Sequence, residues 1–424
     1  MTEQLKLKLN DSKATRWGAL VIVAFTMMAA YYVNDVVAPL KTMLETDLAW
    51  SSTDFGFFTG GYSFLNVFFL MLIWGGLILD RFGIRFTGKL ATILMVGGTA
   101  LEYYAMTGLA GADATLFGIN EIFGYKTGVF VAFAGYSIFG VGAEVAGITV
   151  SKIIAKWFKG KELATAMGVQ VALARIGSQA GYAVAIPLAR AFGISTPVLL
   201  GLVLLLGGMI AFFIFAVMDK KLDKQMEAAA IAAGTEDEEE KFSFKDVKNI
   251  LVNPGFWLIA LLCVLFYSCV FPFQKFASEL MIIKYGINEN VAGTFAGLPA
   301  LGALILTPVF GGFIDKRGKS ASIMLLGSAM LICVHFIYAI PDINYWLVAI
   351  VLMIILGIAF SLVPSAMWPA VAKIFPVSQL GTAYALIFFI QNIGLWGIPT
   401  LIGDRKSTRL NSSHITRSRM PSSA

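Results

Sequence analysis

Gly76-Leu77-Ile78-Leu79-Asp80-Arg81-Phe82-Gly83 is a stretch that the chain states twice. The second copy is Gly311-Gly312-Phe313-Ile314-Asp315-Lys316-Arg317-Gly318. Both read glycine, three residues, aspartate, a cation, one residue, glycine, and they begin 235 residues apart. Each sits where an apolar run of helix length ends in a basic loop. Two such copies predict two structurally related halves.

The composition says what solvent those halves face. Hydrophobic residues make up 58% of the chain and charged residues 14%, whereas a soluble domain averages about 25% charged residues. Apolar runs of about 20 residues recur, each able to cross a hydrocarbon core about 30 Å thick. Lys6, Lys8, Lys13 and Arg16 precede the first run, which is too long for the core of a cleaved signal.

The runs predict eleven spans: 17–40, 54–79, 89–109, 127–152, 163–190 and 196–218 in the first half, then 255–283, 290–314, 320–340, 344–372 and 380–402 in the second. Five segments follow: a tail 1–16, a half 17–218, a charged linker 219–253, a half 254–403, and a polar stretch 404–424. The linker carries Glu236-Asp237-Glu238-Glu239-Glu240 among lysines, the pattern of a solvated connector. Cys263, Cys269 and Cys333 fall inside spans and read as packing residues, with no Cys/His metal spacing. Gly177 with Gly181, and Gly293 with Gly297, read as close-packing pairs.

Residues 404–424 break the apolar pattern. Back-translated, Asp404 to His414 matches a common short-read sequencing adapter, so a twelfth span is expected where this stretch begins. The stretch holds five cations and one anion, and without it the net charge falls from +6 to +2. The basic balance therefore implies no nucleic-acid partner.

Basic loops set orientation. Arg81, Arg85 and Lys89, then Lys156, Lys159 and Lys161, then Lys220, Lys221 and Lys224, then Lys316, Arg317 and Lys319 all fall on the side of the N-terminus. Glu45, Asp47, Asp54, Asp113, Glu121 and Asp342 fall on the other. The N-terminus, linker and repeated loops are expected in the cytoplasm, and the short linker suggests a prokaryotic plasma membrane.

Ionisable side chains at membrane depth are costly and usually face a cavity or a partner. Glu144 lies inside the fourth span and Arg175 near the middle of the fifth, with Gln179 one turn beyond. They can form a buried salt bridge, or serve as two poles of a site. A guanidinium grips a carboxylate through paired hydrogen bonds, and a carboxylate binds an ammonium; together they suit a small zwitterion. Asp35 follows Tyr31-Tyr32 and reads equally as an interfacial residue. Glu102 is expected to snorkel outward. Lys275 and Glu279, four residues apart, are expected to pair with each other. His335 reads as structural or as a proton carrier. Asp80 and Asp315 read as gating residues that cap a neighbouring helix or hold a cation in one conformation.

The repeated loop resembles the loop signature of the major facilitator superfamily. Trp157-Phe158-Lys159-Gly160-Lys161-Glu162-Leu163, Ala174-Arg175-Ile176-Gly177-Ser178, Val270-Phe271-Pro272-Phe273, Met367-Trp368-Pro369-Ala370-Val371-Ala372, Gln379-Leu380-Gly381-Thr382-Ala383-Tyr384 and Gln391-Asn392-Ile393-Gly394 resemble its lysosomal dipeptide uniporter branch over roughly residues 17 to 403. The resemblance implies an all-α membrane fold of two six-helix halves, alternating access, and dipeptide transport. It places substrate-binding roles on Glu144, Arg175, Trp368, Tyr32 and Asp35, and gating on Gly76, Asp80, Arg81, Gly83, Asp315, Lys316 and Gly318. Asn34 departs from it, standing where an aromatic residue is expected, and the loop from Ala110 to Lys126 is longer.

The expected function is a secondary transporter of small zwitterionic solutes, dipeptides foremost, seated in a lipid bilayer. No cofactor, metal or covalent chemistry is expected, and no G-x-x-x-x-G-K-[ST] phosphate loop is present. The alternatives are an organic-anion carrier and a non-transporting membrane receptor or scaffold. No residue implies an accessory subunit.

Overall fold

The computed structural model describes the backbone of residues 8–111, 114–158, 161–233, 244–375 and 377–418. The side chains of Asp80 and Asp315, among others, lie outside what is described. The elements are α1 (Lys13–Val36), a 3-10 turn (Ala38–Leu40), α2 (Lys41–Asp47), α3 (Ser52–Phe68), α4 (Met71–Thr107), α5 (Thr127–Trp157), α6 (Leu163–Phe192) and α7 (Thr196–Ala233) in the first half. α8 (Phe244–Val252), α9 (Pro254–Ile283), α10 (Glu289–Ala296), α11 (Leu298–Arg317), α12 (Ser320–Ala339), α13 (Trp346–Ile374) and α14 (Val377–Ser418) follow. A small hairpin of β1 (Glu121–Ile122) and β2 (Tyr125–Lys126) sits in the long loop before α5.

Among the described residues, eight helices are long and apolar enough to cross a membrane, nine if one bent pair counts as a single span. The expected third and fifth spans are present as helices, inside α4 and as α6, but carry more polar residues, Arg175 among them. The second span is a bent pair: α3 and the start of α4 meet at 59°, with Leu70 in the left-handed region. The eighth is divided at Gly297 into α10 and α11.

Local chemistry sets the helix starts. Ser51 accepts from the Asp54 N–H while the Asp54 carboxylate accepts from the Ser51 N–H, a reciprocal cap on α3. Asn253 caps α9 ahead of Pro254, whose missing N–H costs nothing at that position. Gly83 adopts φ 74°, ψ 172° inside α4, so the first repeated loop turns the chain where a side chain would be strained. Gly318 adopts φ 67° at the end of α11, and its N–H donates to the Ile314 carbonyl at 2.7 Å. The apolar run of the last span closes at Asp404, and the backbone continues helical to Ser418.

Small residues let the helices meet. A Cβ on Gly181 would lie 2.9 Å from the Tyr32 carbonyl oxygen, and one on Gly177 would clash with that of Met28; α1 and α6 pack through this pair. Gly293 does the same against Tyr182 across the two halves. Gly56 of α3 admits the α14 backbone, where a Cβ would lie 2.6 Å from the Pro399 oxygen.

The two sides of the molecule differ. On the N-terminal side the described ion pairs stay within one half. Asp219 accepts from Lys156 at 2.8 Å and from the Trp157 indole at 2.9 Å, and Asp223 pairs with Arg85 at 2.6 Å. On the far side, ion pairs join the halves: Lys41 with Glu279 at 3.0 Å, Asp35 with Lys275 at 3.2 Å, and Arg190 with Glu289. The structure is closed on its far side.

The N-terminal segment is strapped to the loop between α5 and α6. The Arg16 guanidinium donates to Glu162 at 2.6 Å, and Lys161 to Asp11 at 2.7 Å. Arg16 and Lys13 hold the Glu162 carboxyl below its ordinary range, and Lys161 does the same for Asp11. A depressed carboxyl stabilises the fold above its unfolded pKa and loses that contribution as pH falls through the folded value. Glu162→Gln should therefore melt below the wild type near pH about 7 and converge with it as the pH falls through the folded value. A constant offset in thermal melts across that range would contradict this.

Candidate substrate site

Glu144 stands 13 residues from the N-terminal-side end of α5, and Arg175 stands 12 residues from the same side on α6. At 1.5 Å per residue both lie about 18–20 Å deep, near the midplane. Both are half-buried. No ion pair joins them among the described residues, so the salt-bridge alternative is not realised in this state.

Arg175 lies instead between two rings. Its guanidinium carbon is 5.5 Å from the Tyr31 ring centre and 5.0 Å from that of Phe360, within the range of a cation–π contact. Tyr31 is on α1 and Phe360 on α13, so the guanidinium touches both halves. Rings hold a cation in place and leave its N–H donors available. Glu144 accepts from the Tyr62 hydroxyl at 3.2 Å, and Asn392 of α14 faces the same carboxylate. Tyr31 lies within electrostatic reach of both Arg175 and Glu144. A cation and a carboxyl group thus lie near one tyrosine, with no ion pair between them among the described residues.

The second half supplies an aromatic wall. Trp368 donates from its indole to the Tyr267 hydroxyl at 3.3 Å and stacks on Phe388 at 4.9 Å. Tyr267 stacks on Phe271 at 5.4 Å, and Phe271 meets Phe360 edge-on at 5.5 Å. The wall runs from Trp368 to the ring that holds Arg175.

Sequence reasoning placed two other residues in this site, and the structure puts them elsewhere. Tyr32 is buried between α1, α6 and α7, its hydroxyl donating to the Pro197 carbonyl at 3.2 Å; its neighbour Tyr31 faces Arg175. Asp35 is buried in the far-side contact, accepting from Lys275 at 3.2 Å and from Asn34 at 2.9 Å. Lys275 also donates to the Asn34 carbonyl and, at 3.2 Å, to the Tyr136 hydroxyl. Lys275 and Glu279, expected to pair locally, both reach across the halves: Glu279 accepts from the buried Lys41, which also reaches Ser52 at 3.0 Å. Glu102 does not snorkel; it is wholly buried. His335 sits with its ring nitrogens against the Leu331 and Cys269 carbonyls.

Among the residues expected to gate, Arg81 lies over the Phe82 ring at 5.7 Å and Lys316 is exposed. Gly76 has open space at its Cβ position. The side chains of Asp80 and Asp315 lie outside the described residues. Tyr31, Tyr62, Tyr267 and Phe360 were not singled out from the sequence, where nothing distinguishes them from other aromatic residues of a span. Asn392 lay within a quoted string but carried no assigned role.

Breaking a buried ion pair by removing one partner costs about 3–5 kcal/mol. Lys275→Met should therefore shift the balance between far-side closed and open states by about a hundredfold or more. Spin labels at Thr46→Cys and Asn344→Cys, in a chain with its three native cysteines replaced, can report it. The inter-label distances should lengthen in Lys275→Met, and an unchanged distribution would remove the pair from any gate.

Comparison with known proteins agrees with this architecture. A family profile described as Major Facilitator Superfamily matches residues 20–397. The human Lysosomal dipeptide transporter MFSD1 is 29% identical over 404 residues, 92% of this chain and 80% of that one. The Gallus gallus protein of the same name is 33% identical over 288 residues, 65% of this chain and 62% of that one. Among solved structures, a bacterial homolog to the human lysosomal transporter Spinster, in an inward-facing and occupied conformation, aligns with TM-score 0.65 at 16% identity over 96% of this chain and 87% of that one. A D-xylose-proton symporter aligns with TM-score 0.63 at 16% identity over 91% and 89%. At such identities the structural likeness speaks for the fold.

Proposed function

We propose, for a chain that belongs to the major facilitator superfamily, that it carries small zwitterionic peptides, dipeptides foremost, across its membrane by alternating access. The chain is an integral membrane protein and a secondary transporter, not an enzyme. One observation carries the choice of substrate. Arg175 and Glu144 lie at similar depth, both within electrostatic reach of Tyr31, and no ion pair joins them among the described residues.

A dipeptide matches that arrangement. Its carboxylate meets the guanidinium in a two-pronged contact, and its ammonium meets Glu144 beside Tyr62 and Asn392. Its side chains lie against the wall of Trp368, Tyr267 and Phe271. Since the two charged ends are common to all dipeptides, such a site accepts many side chains. The curated relatives, named as dipeptide transporters, support the same reading.

On the reading of the basic loops the N-terminal side faces the cytoplasm, and the far-side closure then corresponds to an inward-facing state. The far-side ion pairs close one gate. The paired loops around Asp80 and Asp315 are assigned the closing of the other.

A thermal-shift titration of the purified chain tests the substrate class, because a ligand of the folded state raises apparent stability. A dipeptide should stabilise more than its N-acetylated form or a dicarboxylate. A dicarboxylate that stabilises best would make the protein an anion carrier.

A further inference from the structure

Glu102 lies on α4 against α5, where a Cβ added to Gly135 would sit 2.8 Å from the Glu102 backbone nitrogen. Its side chain is 0% exposed. Neither carboxylate oxygen has a hydrogen-bond partner among the described residues. An ionised carboxylate cannot be held dry and unpartnered, and such a group binds a proton instead.

Its surroundings connect it to the far-side contact. The charged and titratable groups whose fields reach it are Lys275 of α9 and Tyr136 of α5. Tyr136 donates to the Asn34 carbonyl at 2.8 Å and also feels Asp35. Lys275 is held by Asp35, Asn34 and Tyr136. α7 also packs on α4, but around Gly88 and Phe212, fourteen residues away. Glu102 therefore sits behind Lys275, which leaves with the second half when the far side opens.

We propose that Glu102 is a proton-binding site of the far-side gate. This rests on the alternating-access reading above. While the gate is closed, Lys275 is satisfied by Asp35 and Glu102 keeps its proton. When α9 withdraws Lys275, the loss of that cation favours the proton, but water enters beside Tyr136 and removes the larger cost, the burial of the charge. The Glu102 O–H then gives its proton to water and the carboxylate remains, hydrated. Closing reverses the step, so closure takes up one proton. By linkage, the closed-to-open ratio rises as pH falls, by at most tenfold per pH unit.

The spin-labelled chain described above tests this. Between pH about 9 and about 5 the wild type should shift from longer to shorter far-side distances. Glu102→Gln, which mimics the protonated form, should stay closed and lose the pH dependence. A wild-type slope retained in Glu102→Gln, or a wild type indifferent to pH, would overturn the proposal. Infrared difference spectra decide the matter if that variant does not fold. A carboxylic-acid carbonyl band should be present in the wild type, shift in Glu102→Asp, and vanish in Lys275→Met, which holds the gate open. A band that persists unchanged in Lys275→Met would overturn it too. Labels that move in Lys275→Met but ignore pH reject the proton site alone. Labels that move in no variant reject the gate as well.

Discussion

Arg175→Lys loses dipeptide binding by about 30-fold at least, although the charge is retained. Lysine offers a point charge where the site presents a planar fork, and an ammonium cannot make both prongs of the carboxylate contact. It also fits less well between two rings than a guanidinium whose plane can lie on them. Tyr31 and Phe360, at 5.5 and 5.0 Å, hold the arginine from opposite halves. Loss of a desolvated, charge-assisted contact costs about 2–5 kcal/mol, and each 1.4 kcal/mol is about tenfold in affinity. Titration of a labelled dipeptide against both proteins gives the ratio. Equal affinities would mean that Arg175 meets no substrate carboxylate.

Glu144→Gln discriminates between the two ends of the ligand. The variant keeps the shape of the side chain and its place beside Tyr62 and Asn392, but removes the charge that meets an ammonium. Binding of a dipeptide with a free amine should fall by about 30-fold or more, by the same estimate of about 2–5 kcal/mol. The N-acetylated dipeptide lacks the ammonium, binds the wild type weakly, and should change little in the variant. Equal weakening of both ligands would make Glu144 a structural group only.

The overall fold was legible because membrane spans are long, apolar and marked by basic loops on one side. The repeated loops gave the two halves, and the positive φ at Gly83 and Gly318 shows why glycine recurs there. The bends were not legible. The break between α3 and α4 occurs at Phe69 and Leu70, with no proline or glycine to announce it.

Of the proposed site, the sequence marks the charges and not the walls. Glu144 and Arg175 stand out in apolar helices, as any intramembrane charge does. Tyr31 and Tyr32 differ by one residue, which turns a side chain by about 100° around a helix. In a helix apolar on most faces, the sequence does not say which of the two meets the cavity. Lys275 and Glu279 misled for a related reason. Spacing of four reports a local neighbour, while their partners Asp35 and Lys41 lie some 240 residues away. Asp35 was therefore read as a substrate group or an interfacial residue, whereas it accepts from Lys275 across the halves.

One solute is expected to span Glu144 and Arg175 and to cross with them exposed to each side in turn. Uptake of a labelled dipeptide into liposomes containing the protein tests it most directly, with unlabelled competitors at equal concentration. Unlabelled dipeptides should suppress that uptake strongly, and N-acetylated dipeptides and dicarboxylates weakly. Uptake suppressed best by dicarboxylates, or no uptake beyond that of empty liposomes, would contradict it.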